Sequence, residues 1–239
     1  SCPASPTNYQ LDPIKTLNTC FNATLNLLEL AKINNAKLLL TSSSEIYGNA
    51  ERHPQDEQYF GLVNSFGPRS CYSEGKRISE SLCYAYNKKY KLDISVARLF
   101  NVFGPKMSPN DGRVISNFIG NALQGKALFI NGNGNQTRSF CYIDDIVDGL
   151  IKLMNSNCSF PINMGNPHEE YSILEVANLI LKLLNLEIGI EFGPEIADEP
   201  FKRRPDISKA KEFLNWEPKY SFIYGLQKTI DQFKLYMNI

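Results

Sequence analysis

The sequence is poor in the residues on which metal and thiol chemistry depends. It has two histidines, His53 and His168, and its six cysteines are scattered without a Cys-x-x-Cys pair. These absences argue against a histidine-based triad and against a zinc site, so no metal is predicted. The cysteines lie mostly within apolar segments, which indicates reduced, buried thiols rather than a disulfide framework.

An excess of charge and a long apolar run are also missing. Twenty-five basic residues balance twenty-five acidic residues, so the net charge is zero and neither nucleic acid nor an anionic membrane is predicted as a partner. No apolar stretch is long enough to span a bilayer, and no signal-peptide pattern occurs at the start. With 43% hydrophobic residues in 239, the composition predicts a cytoplasmic enzyme of one large or two small domains.

A third absence concerns glycine. The chain has no Gly-x-x-Gly-x-x-Gly turn, the usual cradle for a dinucleotide pyrophosphate at the start of a helix. The nearest pattern is Gly132 and Gly134, which lie late in the chain between asparagines and are predicted to form a hairpin turn. We therefore expect this chain alone to bind a dinucleotide poorly.

A tyrosine and a lysine four residues apart are the first sign of chemistry. Tyr72 and Lys76 share one face if their segment is helical, and a lysine ammonium beside a phenol lowers the pKa of the phenol toward neutrality. Taken alone, the spacing favours an exposed pair formed by chance, because Tyr-x-x-x-Lys is a frequent pattern. The run 38–45 favours chemistry, because an apolar strand there ends in hydroxyls and the Glu45 carboxylate.

Hydrophobic periodicity predicts alternating helices and strands. This alternation indicates an α/β doubly wound parallel sheet with ligands at the carboxyl ends of its strands. Predicted helices cover 11–33, 72–91, 113–123, 144–154, 172–184, 207–214 and 222–236. Ser172, with Glu175 three residues on, is predicted to cap the fifth of these helices in a capping box. Predicted strands cover 36–43, 93–99, 127–131, 139–143, 161–165 and 188–192.

Distinct short motifs are spread along almost the whole chain. They are Pro3-Ala4-Ser5-Pro6 with Tyr9, Thr41-Ser42-Ser43-Ser44-Glu45-Ile46-Tyr47-Gly48, Gly67-Pro68-Arg69 before Tyr72 and Lys76, Arg98-Leu99-Phe100-Asn101-Val102-Phe103-Gly104-Pro105, Asn110-Asp111-Gly112-Arg113-Val114, Gln136-Thr137-Arg138 and Arg203-Arg204-Pro205-Asp206. In these motifs the chain resembles the extended short-chain dehydrogenase/reductase superfamily. Within it, the chain resembles the UDP-glucuronate decarboxylases, also called UDP-xylose synthases.

The resemblance implies a Rossmann-like sheet and a smaller α/β substrate-binding domain. Because residues 1–9 match the loop after the fourth strand of the family's sheet, the first βαβ units are expected to be missing from this chain. Residues 1–105 and 139–169 would form the remaining part of the NAD-binding domain. Residues 106–138 and 170–239 would bind the sugar nucleotide.

The resemblance also implies site residues and NAD as cofactor. The catalytic set would be Tyr72, Lys76, Ser43, Glu45 and Arg203. The cofactor would contact Cys2, Ser42, Tyr72, Lys76, Val102 and Arg113. The substrate would contact Tyr9, Asn101, Arg113, Arg138 and Arg203.

Several of these residues also have a purely structural interpretation. Asn101 at a strand end is suited to capping a turn, and Arg203 lies in a Lys-Arg-Arg run typical of a solvated surface. Arg138 is suited to a paired position in a strand. Arg113 opens a helix at the end that disfavours its charge, which favours an anionic partner for it.

The implied reaction begins when the Tyr72 phenolate takes a proton from the sugar 4-hydroxyl while hydride moves to NAD. The resulting 4-ketone makes the C5 carboxylate a β-keto acid, which loses carbon dioxide. Protonation at C5 and return of the hydride give UDP-xylose; without the return, the product is a UDP-4-keto-pentose. Ser43, where relatives have threonine, would hydrogen-bond the 4-oxygen, and Glu45 would lie against C5.

Three alternatives stay open. A 4,6-dehydratase would carry an Asp-Glu pair where this chain has Ser44 and Glu45, and a 4-epimerase generally lacks this glutamate. An inactive dimer-partner or truncated subunit is the third, against which the intact Tyr72 and Lys76 argue.

The resemblance also implies a homodimer built as a four-helix bundle from the helix after Asp12 and the Tyr72 helix, with apolar residues that include Phe21, Leu25, Ile78 and Leu82. A Golgi lumenal location would apply if the preceding segment carried an anchor.

Overall fold

The computed structural model describes residues 2–238. The helices are α1 (Pro6–Leu11), α2 (Pro13–Asn18), α3 (Thr24–Ile33), α4 (Ser70–Tyr90), α5 (Val114–Leu123), α6 (Ile143–Met154), α7 (Ile173–Leu184), α8 (Ser208–Leu214) and α9 (Phe222–Met237). The strands are β1 (Leu38–Ser43), β2 (Ile94–Leu99), β3 (Val102–Phe103), β4 (Leu128–Asn131), β5 (Thr137–Ser139), β6 (Cys141–Tyr142), β7 (Pro161–Met164), β8 (Glu170–Ser172), β9 (Ile190–Gly193) and β10 (Lys202–Arg203).

The predicted parallel sheet is present as three strands in the order β1-β2-β7. Its side chains alternate between two faces, as a pleated strand requires. On one face, Leu38 and Leu40 pack with Ile94 and Val96 beneath α3 and α4. On the other face, Leu39 and Leu99 pack with residues of α6 and α8 around Trp216. Helices therefore cover both faces, as the predicted doubly wound class demands.

A third core lies in the part of the chain expected to bind the sugar nucleotide. It is formed by apolar residues of α5, α7, α9 and β4, with Phe103, Phe140 and Phe222 in edge and stacked contacts. Ser172 caps α7, and its hydroxyl and the Glu175 carboxylate form the predicted capping box. The domain boundaries at 105, 138 and 169 stay a prediction.

The predicted hairpin around Gly132 and Gly134 is wrong. Both glycines do have positive φ, so the chain turns there, but β4 pairs in parallel with β9 instead of folding back on the next strand. The alternation that buries Leu128 and Ile130 favours this pairing, because it places β4 against the helices of the third core. The turn leads into β5, which lies between β10 and β8.

Other boundaries differ by local detail. The predicted helix 11–33 is divided into α2, a π-helical turn at Thr19–Ala23, and α3. The predicted strand 139–143 is split, because Ser139 ends β5 while Ile143 begins α6. The short elements α1, β3, β8 and β10 were not predicted, since none is long enough to display a hydrophobic period.

Candidate active site

A cavity of about 560 Å³ lies at the carboxyl ends of β1 and β2 and extends toward α5 and β5. Ligands in open α/β sheets bind at this edge. The cavity collects all but one of the predicted site residues. They are Cys2, Ser42, Ser43, Glu45, Tyr72, Lys76, Asn101, Val102, Arg113, Arg138 and Arg203.

Tyr9 is the exception. It lies behind Tyr72 with its ring stacked on the Tyr72 ring, the centroids 4.9 Å apart and the planes 9° from parallel. The Tyr9 side chain is buried. Its predicted contact with substrate stays a prediction, and in the structure it supports Tyr72.

Tyr72 and Lys76 lie one turn apart on the buried face of α4, as their spacing predicts. The Lys76 Nζ atom is 5.7 Å from the centre of the Tyr72 ring and donates a hydrogen bond of 2.9 Å to the Thr41 carbonyl oxygen. This bond ties the lysine to the end of β1. Both side chains are thus fixed at the cavity wall.

The pKa of Tyr72 differs from the sequence-based expectation. Burial raises the pKa of the phenol above its usual value, and the neighbouring Ser43 hydroxyl offsets this only partly. The charge of Lys76, 5.7 Å from the centre of the ring, does not outweigh this burial. In the unliganded chain Tyr72 is therefore a neutral phenol.

Glu45 stands between two arginines. Its Oε1 atom accepts hydrogen bonds from Arg69 Nη2 at 2.6 Å and from Arg203 Nη1 at 2.9 Å, and all three side chains are buried. Burial alone would raise the pKa of Glu45, but the charges of Arg203 and Arg69 outweigh it and lower the pKa to about 2. The carboxylate is therefore ionised, and the group of three carries one surplus positive charge.

The elements around Glu45 explain how this group forms. Glu45 lies in the 3-10 turn Ser44–Tyr47 directly after β1, and its backbone N–H is capped by the Ser43 hydroxyl at 3.2 Å. Arg69 is the residue before α4. Arg203 lies on β10, 158 residues after Glu45 in the sequence.

Arg203 also lies beside a further arginine of the cavity, Arg138. In the parallel pairing of β10 with β5, Arg203 is opposite Arg138. Arg138 donates to Glu199 Oε1 at 2.8 Å and to the Thr137 carbonyl at 2.8 Å. Burial, and after it the charge of Arg203, lowers the pKa of Arg138 to about 10. The negative charge around the Arg138 guanidinium is therefore too small to balance the positive charge there.

Several buried polar atoms at the site have no hydrogen-bond partner within residues 2–238. They are Arg203 Nη2, Arg69 Nε, Asn101 Oδ1, Tyr9 Oη and Ser5 Oγ. A buried donor or acceptor without a partner costs roughly 1–3 kcal/mol, and such atoms mark places where a ligand supplies the missing bond. Asn101 follows β2, so its free oxygen is presented at the sheet edge.

Arg113 and Val102 occupy the remaining predicted positions. Arg113 is the residue before α5, and its Nε atom pairs with Asp111, so the anionic partner expected for it is a neighbouring carboxylate in this structure. Val102 begins β3 at the floor of the cavity.

Sequence reasoning missed four residues at or beneath the site. Arg69 belongs to a quoted motif but received no role, and Glu199 lies in an irregular loop without a signal. Glu80 pairs with Arg98 beneath the cavity. The helical spacing of Tyr72, Lys76 and Glu80 is the signal that would have found the third of these.

Within residues 2–238, no helix combines the length and the apolarity needed to cross a bilayer. No cluster of three or more potential metal ligands was found in the same range. All six cysteines are free, and five of them are buried.

Comparison with known proteins places the chain in a class. Residues 7–229 match the family described as GDP-mannose 4,6 dehydratase, and the chain belongs to this family. Among curated relatives, UDP-glucuronic acid decarboxylase 1 of Danio rerio is 56% identical over 231 residues, covering 97% of this chain and 55% of the relative. UDP-glucuronic acid decarboxylase 3 of Arabidopsis thaliana is 49% identical over 239 residues, covering 100% of this chain and 70% of the relative.

The chain thus spans about half the length of the animal relative. Among solved structures, UDP-glucuronic acid 4-epimerase from Bacillus cereus in complex with UDP-glucuronic acid and NAD is similar, with a TM-score of 0.84 and 29% identity. The match covers 92% of this chain and 68% of that one. The predicted family and fold class are therefore confirmed.

Proposed function

We propose that the protein containing this chain decarboxylates UDP-glucuronate to UDP-xylose through a UDP-4-keto intermediate, with NAD as cofactor. The observation that carries the proposal is the pairing, in one cavity, of Tyr72 and Lys76 with the Glu45 group. Two relatives named UDP-glucuronic acid decarboxylase, at 56% and 49% identity, support the same assignment.

The charge of the Glu45 group favours a uronate over a neutral hexose. One carboxylate and two arginines leave a net positive charge, and Arg203 Nη2 and Arg69 Nε are buried donors without a partner in residues 2–238. A substrate carboxylate supplies both the missing charge and the missing acceptors. A neutral CH₂OH group supplies far less, because it is uncharged.

The residues present also fit the nicotinamide end of NAD and the nucleotide diphosphate. Ser42, Lys76, Val102, Arg113 and Arg138 all line the cavity. NAD, when bound, would accept the C4 hydride and return it. Asn101, whose side-chain oxygen is free, would bind the sugar nucleotide.

The chain's own residues then have distinct tasks. Tyr72 would take the proton from the sugar 4-hydroxyl, which requires the pKa of its phenol to fall when ligands bind. The charge of Lys76 on the same face of α4 acts in that direction. Ser43 would hydrogen-bond the 4-oxygen. Arg203 would hold the sugar's carboxyl-bearing carbon against Glu45 until carbon dioxide leaves. Glu45 would then be the nearest group to C5.

The competing functions differ in what they ask of this site. A 4,6-dehydratase needs an acid beside Glu45, and the neighbouring position holds Ser44, which is buried. A 4-epimerase that acts on UDP-glucuronate needs the same binding groups, so binding alone does not separate it. The product must therefore be identified.

The deciding experiment uses the full-length protein with UDP-glucuronate, and measures released carbon dioxide beside water loss from a neutral UDP- or dTDP-hexose. We expect carbon dioxide and UDP-pentose. In single turnover, Tyr72→Phe should form no NADH, while UDP binding stays close to wild type. Dehydration or epimerisation of a sugar nucleotide without release of carbon dioxide would contradict the proposal.

We also propose that the protein is a homodimer through α2, α3 and α4. Three apolar side chains are exposed there: Leu17 on α2, Phe21 on the π-helical turn after α2, and Ile78 on α4. Leu17→Arg with Ile78→Arg should convert dimer to monomer in sedimentation. Leu235→Arg, at an exposed apolar position on α9, is the matched control and should leave the mass unchanged. A wild-type monomer at micromolar concentration would contradict the dimer.

A further inference from the structure

Helix α4 contacts the end of strand β1 at three successive turns. Tyr72 lies beside Ser43, and Lys76 donates to the Thr41 carbonyl at 2.9 Å. One turn further, Glu80 Oε1 accepts a hydrogen bond of 2.5 Å from the Ser42 hydroxyl. The proposed function uses the first two of these contacts and leaves the third without a role.

Glu80 is held by an arginine on the neighbouring strand. Arg98 Nη2 lies 2.7 Å from Glu80 Oε2, and Arg98 Nε lies 3.1 Å from Oε1, so the guanidinium grips both oxygens. The two side chains are only 12% and 13% exposed. Arg98 also donates to the Tyr47 hydroxyl at 3.0 Å, which fixes its plane. A forked pair of this kind holds both carboxylate oxygens in one orientation.

An ionised carboxylate only accepts hydrogen bonds, so Ser42 must donate its single hydroxyl hydrogen to Glu80. Ser42 is buried and lines the cavity. Its oxygen lone pairs are therefore the only part of the hydroxyl left for a ligand. Without Glu80, the hydroxyl would be free to rotate and to present its hydrogen instead.

We infer that Glu80, oriented by Arg98, is a positioning residue that makes Ser42 a hydrogen-bond acceptor for an N–H or O–H group on the nicotinamide riboside half of the cofactor. The inference rests on the proposed function, because it takes the cofactor side of the cavity from there. It adds that the Tyr72 helix controls cofactor binding through its third turn as well as through Lys76.

A double-mutant cycle in the full-length protein tests this. Dissociation constants for NADH, from its fluorescence, and for UDP, from calorimetry, are measured for Ser42→Ala, Glu80→Gln and the double variant. We expect each single variant to weaken NADH binding by about tenfold, which is about 1.4 kcal/mol. The double variant should be no weaker than Ser42→Ala alone, since Glu80 acts through that hydroxyl. UDP binding should change by less than about twofold.

Two further variants keep the test decisive if Glu80→Gln does not fold. Arg98→Lys keeps the charge but loses the fork, and should weaken NADH binding in the Ser42 protein but not in the Ser42→Ala protein. Glu74→Gln, on the same helix in an exposed pair with Arg77, is the control and should change neither constant.

Two results would overturn the inference. If the losses from Ser42→Ala and Glu80→Gln add, or if NADH and UDP binding weaken together with the melting temperature, Glu80 only stabilises the fold. Wild-type protein that binds no NADH would remove the proposed function and this inference together. Additive losses in a protein that does bind NADH would remove the inference alone.

Discussion

The two groups of ion pairs that line the cavity are built in opposite ways. Glu45 is one carboxylate between two arginines, all of them buried. Arg138 has one carboxylate, Glu199, which is 24% exposed, and a second arginine beside it on the next strand. The first group holds its anion permanently, because removing it would strand two buried cations.

The second group holds its anion on a loop that is open to solvent. Glu199 lies between β9 and β10, outside any helix or strand. The lowered pKa of Arg138, about 10, reflects burial and the charge of Arg203, so one partly exposed carboxylate does not satisfy it. The comparison indicates a fixed anion on Arg69 and Arg203, and an exchangeable one on Arg138, which is proposed to contact the diphosphate.

The largest expected effect comes from Glu45→Gln. The UDP contacts are proposed to lie at Asn101, Arg113 and Arg138, so UDP affinity should stay within a few fold of wild type. Turnover of UDP-glucuronate should fall by at least about a hundredfold, the usual cost of removing a preorganised group from a dry site. Carbon dioxide release and UDP calorimetry measure the two quantities.

If UDP affinity and turnover fall together in this variant, Glu45 maintains the shape of the whole cavity. The contrast between the fixed Glu45 group and the exchangeable anion on Arg138 would then be wrong. Glu195→Gln, at an exposed position in the loop after β9, is a control that removes a carboxylate without touching Arg69 or Arg203.

The next effect is on acid stability. The pKa of Glu45 is about 2 in the folded chain and about 4.5 when exposed, so its ionised form stabilises the fold above pH 4.5 and loses this contribution as the pH falls toward 2. The contribution is on the order of 3 kcal/mol. Unfolding at several pH values, followed by the fluorescence of the single tryptophan, Trp216, measures it.

The wild-type protein should therefore lose stability more steeply than Glu45→Gln between pH 4.5 and pH 2. Parallel curves for the two proteins would mean that Glu45 is not the ionised partner of Arg69 and Arg203.

A smaller effect is expected from Glu199→Gln. If the Glu199 carboxylate occupies the place of a diphosphate on Arg138, its removal should tighten UDP binding by about threefold to tenfold, or roughly 1 kcal/mol. Glu195→Gln in the same loop is again the matched control. Weaker UDP binding in Glu199→Gln would mean that Glu199 orients Arg138 for the ligand rather than competing with it.

The smallest effect is expected from Ser43→Thr. The hydroxyl caps the turn that carries Glu45, and threonine keeps this hydroxyl while restricting its rotamer. Turnover should stay within about threefold of wild type, whereas Ser43→Ala should lose about 1 kcal/mol of stability with the cap. A severe loss of turnover in Ser43→Thr would show that the site has no room for one more methyl group.

The sequence predicted well what depends on neighbours in the chain. The helix carrying Tyr72 and Lys76, the strands β1 and β2, and the cap at Ser172 all follow from local periodicity or spacing. The cavity itself also followed, because parallel strands bring their carboxyl ends to one edge. These features need no knowledge of which distant residues meet.

What depended on distant partners was not predicted. The pairing of β4 with β9 joins segments about 60 residues apart, so the glycines between β4 and β5 were wrongly taken for a hairpin. The pKa of Tyr72 was expected to be lowered, but burial of the phenol, which depends on how α4 packs over β1, raises it. The two arginines on Glu45 required the complete tertiary fold.

The bond from Arg203 to Glu45 also affects the order in which the site forms during folding. It closes a loop of 158 residues, and nearby Gln55 bonds the backbone of Arg204 across 149. Contacts of such long range form slowly, because the chain entropy between them is lost before they contribute. During synthesis, the β1 end of the site would have Tyr72, Lys76 and Glu45 in place while Arg203 was still untranslated. The proposed catalytic pair would therefore form before the proposed carboxylate-binding group is complete, and the discrimination we propose for charged sugars would be the last property that the folding chain acquires.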